Sequence, residues 1–77
     1  MTYRIDTVAF KKKMLDEGFN SFSSLAEETG LSRDTVSAVA NGKRKPSMSV
    51  MEKLASSMHM TPQEAGSIFF VALLRNS

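Results

Sequence analysis

The sequence has no cysteine, which removes disulfides and thiolate zinc sites as ways to hold a small fold together. It has a single histidine, His59, so neither a nucleophile–base–orienter triad nor a histidine-rich metal centre can be assembled. His59 reads instead as the end of a helix. The longest apolar run, residues 68–74, is seven residues, against the roughly 20 needed to span a bilayer. The opening Met1-Thr2-Tyr3-Arg4-Ile5-Asp6 lacks the apolar stretch of a secretory signal. Repeats and low-complexity segments are missing too. These absences argue against an enzyme, a cofactor or metal, a membrane and a small-molecule substrate. The expected setting is the cytoplasm.

What remains is a chain of 77 residues, expected to form one domain over residues 1–77. A domain of this size buries only about 60% of the surface its unfolded chain exposes, so help from a second subunit is expected. The net charge is only +2, but its distribution is uneven. Cations gather at Lys11-Lys12-Lys13 and Lys43-Arg44-Lys45, with the acidic pairs Asp16-Glu17 and Glu27-Glu28 between them. Such segregation can steer a polyanion; a solvated charge run is the alternative for Lys11 to Lys13.

Start and stop signals divide the chain into five short helices. Asp6 or Thr7 caps the first, which runs to about Glu17 with Gly18 as its stop and carries Phe10, Met14 and Leu15 together. Ser21 caps the second, in which Phe22, Leu25, Ala26 and Thr29 recur at helical spacing before Gly30. Ser32 caps the third, with Val36, Val39 and Ala40 facing inward and Asn41-Gly42 closing it. Ser49, with Glu52 three residues later, is the expected capping box of the fourth. Thr61-Pro62-Gln63-Glu64 combines a capping box with proline at the first helical position. It predicts a fifth helix over about 62–73, with Ala65, Ile68, Phe69, Ala72 and Leu73 as its buried stripe. A short strand within residues 69–74 is the alternative.

Residues 22–41 carry the functional signal. Two short helices meet at a glycine corner, where Gly30 is expected at positive φ and Ala26 permits close approach. The second helix of the pair then presents Arg33, Asp34, Thr35, Ser37 and Ala38 outward, small enough to enter a groove about 12 Å wide. Arg33 suits guanine and Asp34 suits cytosine. Ser21, Ser32, Asn41, Lys43, Arg44 and Lys45 are the expected contacts to the DNA backbone.

The run Leu25-Ala26-Glu27-Glu28-Thr29-Gly30-Leu31-Ser32, followed by Val36-Ser37, Asn41-Gly42-Lys43 to Pro46, and Lys53-Leu54-Ala55, resembles the lambda-repressor/Cro-type (XRE-like) helix-turn-helix family. The resemblance covers about Phe10 to Phe70. Ser67-Ile68-Phe69-Phe70 and Leu74-Arg75-Asn76 are similar to small phage regulators of Gram-positive hosts. It implies a compact all-α, five-helix DNA-binding domain, a double-stranded DNA operator read by the third helix, and a two-fold homodimer. A lysogeny-switch repressor acting by promoter occlusion follows from it. The sequence departs from the family pattern at Phe22, where a glutamine is common, and at Ala38, where a long polar residue often reads a base. Phe22, with Phe70, Val71 and Leu74 on a second side of the last helix, marks an expected partner interface, and Ala38 is a gap in the base-reading face. These features also motivate an alternative function: an antirepressor, modulator or antitoxin that binds a protein such as a phage repressor.

Overall fold

The computed structural model describes residues 3–72. Within them the chain forms five helices, α1 (Thr7–Asp16), α2 (Phe22–Thr29), α3 (Arg33–Ala40), α4 (Met48–Ser57) and α5 (Pro62–Phe69). A two-residue antiparallel pair, β1 (Tyr3–Arg4) and β2 (Val71–Ala72), joins the two ends of the described chain. Five helices around one apolar centre make the domain all-α.

Each helix begins on a side chain that accepts the orphan N–H groups of its first turn. Asp6 accepts from Ala9, Ser21 from Ser24, Ser32 from Thr35 and Thr61 from Glu64. The last forms the full capping box, Glu64 accepting in return from the Thr61 N–H at 2.9 Å. The fourth helix departs from expectation. Ser47 is its cap, accepting from Val50 N–H at 3.2 Å, because Ser47 offers the same hydroxyl two residues earlier than Ser49. Met48 and Ser49 therefore belong to the first turn, and no box forms with Glu52.

The core is a single cluster. Phe10, Leu25, Val36, Val39, Ala40, Leu54 and Met58 are wholly buried, with Ile5, Met14, Ala26, Ile68 and Phe69 nearly so. Burial of each large member contributes about 1.5–3 kcal/mol against an exposed reference. Phe10 and Phe69 meet edge to face with ring centroids 6.3 Å apart, an arrangement that aromatic quadrupoles favour. Leu15 does not join its expected neighbours and is exposed: one step from Met14 turns it about 100° away around the helix.

The last helix is shorter than its apolar stripe suggests. It stops at Phe69, and Val71–Ala72 turns extended to pair with Tyr3–Arg4 in the register Tyr3↔Ala72, Arg4↔Val71. The expected helix over 62–73 is corrected accordingly, and the strand alternative describes Val71–Ala72. The reason is a partner far away in sequence: β1 offers ladder hydrogen bonds, and the Asp6 N–H donates to the Ile68 carbonyl at 2.7 Å. Local periodicity cannot reveal either contact. Leu73 and Leu74 lie outside the described residues.

Candidate nucleic-acid interface

The corner between α2 and α3 is built from local hydrogen bonds. Gly30 is left-handed at φ +77°, and its N–H donates to the Ala26 carbonyl. Thr29 supports it from beneath. Its hydroxyl donates to the Leu25 carbonyl at 2.9 Å and accepts from the Leu31 N–H at 3.2 Å. This bridge across the turn was not legible in the sequence, where Thr29 looked only like another member of the α2 stripe.

With the inner face of α3 (Val36, Val39, Ala40) sealed in the core, the outer face is fixed by geometry. Arg33 and Asp34 are exposed in its first turn; Thr35, Ser37 and Ala38 are half-buried along it; Asn41 is exposed at its end. All five residues expected to face bases are at least partly accessible, spread over the outward side of α3. Asp34 also has a structural use, since a carboxylate in the first turn complements the positive end of the helix dipole. Asn41 closes α3, its amide Nδ2 donating to the Ser37 hydroxyl at 3.4 Å.

The loop after α3 folds back on the helix. Gly42, at φ +74°, donates its N–H to the Val39 carbonyl, and the N–H groups of Lys43 and Arg44 both donate to the Ala38 carbonyl, at 2.8 and 3.3 Å. Lys43, Arg44 and Lys45 are all exposed there. The Arg44 guanidinium Nη1 donates to the Thr35 hydroxyl at 3.2 Å, and the Ser32 hydroxyl donates to the same oxygen at 2.8 Å. Sequence spacing gave no sign of this cluster, because nine positions separate Arg44 from Thr35. Ser21 and Ser32, expected at the DNA backbone, have their oxygens engaged in capping.

The other lysine run has a different fate. Lys12 pairs with Asp16 at 2.8 Å, and Lys13 lies between Glu17 (3.3 Å) and Glu64 (3.2 Å). His59 adds Nδ1···Oε1 contact to Glu17 at 2.9 Å. The hydrogen bond from Glu64 raises the Lys13 pKa above its ordinary value. The His59 contact, then Lys13, lowers that of Glu17. The Thr61 N–H, then Lys13, lowers that of Glu64. Lys12 and Lys13 are thus matched by carboxylates, and the accessible cations of the 43–45 loop are the ones beside α3. His59 ends the α4 region at φ 53°, facing Glu17.

A cleft of about 670 Å³ opens at the β1–β2 end, with Val8, Pro46, Met51, Phe70 and Val71 as its apolar wall and Arg4, Asp6, Arg44 and Lys45 as its charged one. Phe70 is 44% exposed and Val8 77%, while Val71 is half-buried in the ladder. Of the other residues expected at an interface, Phe22 packs partly against the core on a different part of the surface, and Leu74 is outside the described residues. Among the described residues no helix is long and apolar enough to cross a membrane.

The comparisons agree with this geometry. The family model for the Cro/C1-type helix-turn-helix DNA-binding domain matches residues 10–66, from within α1 to within α5 and including all of α2, α3 and α4. No curated protein matches the chain. Among solved structures, the restriction-modification controller protein C.AhdI from Aeromonas hydrophila is similar, with a TM-score of 0.68 and 29% identity over 77% of this chain and 88% of that one. The chain belongs to the Cro/C1-type helix-turn-helix family and is a DNA-binding transcription regulator.

Proposed function

We propose that the protein is a sequence-specific, cytoplasmic repressor of the Cro type that occupies an operator as a two-fold homodimer and acts by occluding a promoter. One observation carries the reading: the accessible strip of α3 is short and polar, and the exposed 43–45 loop is tied directly to that helix. A slim strip can approach base edges in the major groove, while cations beside it meet the phosphates. Arg33 is the base reader at the start of α3, with Asp34, Thr35, Ser37 and Ala38 completing the strip. Lys43, Lys45, Asn41 and the helix starts at Ser21 and Ser32 hold the backbone. The phage setting rests on the resemblance of residues 67–76; the similarity to a restriction-modification controller protein supports a small regulator of this kind without selecting between the two settings.

The exposed apolar residues Val8 and Phe70 beside the cleft support self-association at this end of the molecule. In a two-fold dimer it would set the spacing of half-sites, one helical turn or about 34 Å apart. The same cleft also supports the second reading, in which a different protein such as a phage repressor fills it.

Selection from a random duplex library followed by mobility shifts tests the proposal. A palindromic site should emerge, and log affinity should fall linearly with log salt. Arg33→Ala should cost about 1–3 kcal/mol of discrimination at one base pair. The absence of any shift at micromolar protein and low salt refutes DNA reading. A salt-insensitive stoichiometric complex with a repressor, in its place, supports the second reading.

A further inference from the structure

We infer that Arg44 reads a base edge instead of anchoring a phosphate, and that Thr35 is the residue that positions it. This inference rests on the DNA-reading function proposed above.

Sequence spacing groups Arg44 with Lys43 and Lys45 as backbone contacts, but its side chain takes a different course. Its own N–H is bound at the Ala38 carbonyl, and its guanidinium reaches Thr35, near the start of the same helix. Thr35 and Ala38 are three apart and share a helix face, so the arginine stem lies along the outer strip of α3. The long polar side chain that the strip lacks at Ala38 is thereby supplied from the loop. Among the described residues no carboxylate forms an ion pair with Arg44, and its charge is retained.

The hydrogen-bond inventory selects the target. The Thr35 oxygen accepts from the Arg44 guanidinium and also lies 2.8 Å from the Ser32 hydroxyl, which holds it in place. The guanidinium spends one N–H on Thr35 and keeps the rest of its planar fork. The guanidinium offers donors only. Guanine, with O6 and N7 acceptors side by side in the major groove, is the base edge that accepts such a fork. A phosphate also accepts such a fork, and the base profile and salt slope measured below separate the two targets.

The test uses the duplex selected by the full chain and its set of single base-pair substitutions, with Arg44→Lys and Thr35→Val compared to the unsubstituted protein. Arg44→Lys keeps the charge and loses the fork. It should leave the salt slope unchanged while removing roughly 5- to 150-fold of discrimination at one G·C pair. Thr35→Val should reduce discrimination at that same pair by a smaller factor, and the double variant should lose no more than Arg44→Lys alone. Thermal melting of each variant confirms that the fold is intact. If Arg44→Ala weakens binding to every duplex equally and lowers the salt slope by about 1, Arg44 is a phosphate anchor and the inference is overturned. If the unsubstituted protein binds no duplex, the underlying function falls and takes this inference with it; binding with a unaltered base profile in Arg44→Lys overturns the inference alone.

Discussion

The two ends of the molecule are held together by different means. At the α2–α3 corner, neighbours in sequence do the work: Thr29 bridges Leu25 and Leu31, Gly30 turns the chain, and Leu25, Ala26, Val36 and Val39 are buried behind it. At the α1–α5 end, distant residues meet. Arg4 pairs with Val71, Lys13 with Glu64, and Glu17 with His59 across 42 positions. The first arrangement is largely apolar and indifferent to salt. The second adds partly exposed ion pairs, which water and salt screen, to the buried contacts of Phe10, Met14, Ile68 and Phe69. The α2–α3 corner is therefore held by packing, whereas the opposite end also carries contacts that respond to solution conditions.

The largest effect should come from the corner. Leu25→Ala removes a wholly buried side chain and should cost about 2–5 kcal/mol. For a domain this small that corresponds to a fall in Tm of more than about 10 °C, measurable by circular dichroism and equal at low and high salt. A loss that depends strongly on salt would erase the contrast drawn between the two ends.

The next effect separates two glycines. Both Gly30 and Gly42 lie at positive φ, where a Cβ costs about 1 kcal/mol or more. A Cβ at Gly30 meets open space, whereas at Gly42 it comes within 3.2 Å of Thr7 Cγ2. Denaturant unfolding should show Gly42→Ala to be the more damaging substitution, because the loop must also shift against α1. Equal losses would mean that the loop yields freely and is not fixed as described.

The smallest effect belongs to the charged end. Glu17 and Glu64 have lowered pKa values, so their contribution is complete above the ordinary glutamate value and is lost as pH falls through their lowered folded values. Lys13 is raised, so its contribution holds below the ordinary lysine value and disappears as pH rises through the raised one. Melting temperature should decline modestly on acidification below about pH 4.5. The decline should be smaller in Glu17→Gln and smaller still in Glu17→Gln with Glu64→Gln. An unchanged acid profile in the double variant would show that these pairs contribute nothing.

This contrast also explains what the sequence made legible. Caps, the Gly30 corner and the sealed face of α3 depend on spacings of three and four residues, so Ser21, Ser32 and Thr61 could be named as caps and Val36, Val39 and Ala40 as core. The end of α5 could not, because it is decided by Tyr3–Arg4, nearly the whole chain away. The cap of α4 was misplaced by two residues because Ser47 and Ser49 carry the same hydroxyl. The candidate site divides in the same way. Its accessible strip follows from helical period, but the Arg44–Thr35 contact depends on how the loop folds back, which no local pattern encodes. Lys11 to Lys13 resembled a second basic patch until Asp16, Glu17 and Glu64 were seen to answer two of its three charges.

Backbone amide shifts in an NMR titration with the selected duplex test the central claim most directly. The account predicts that the large, saturating changes fall on residues 32–45 and around Ser21, with the α1–α5 charge cluster nearly silent. Changes concentrated around Lys13, Glu17 and Glu64, with α3 unmoved, would contradict it.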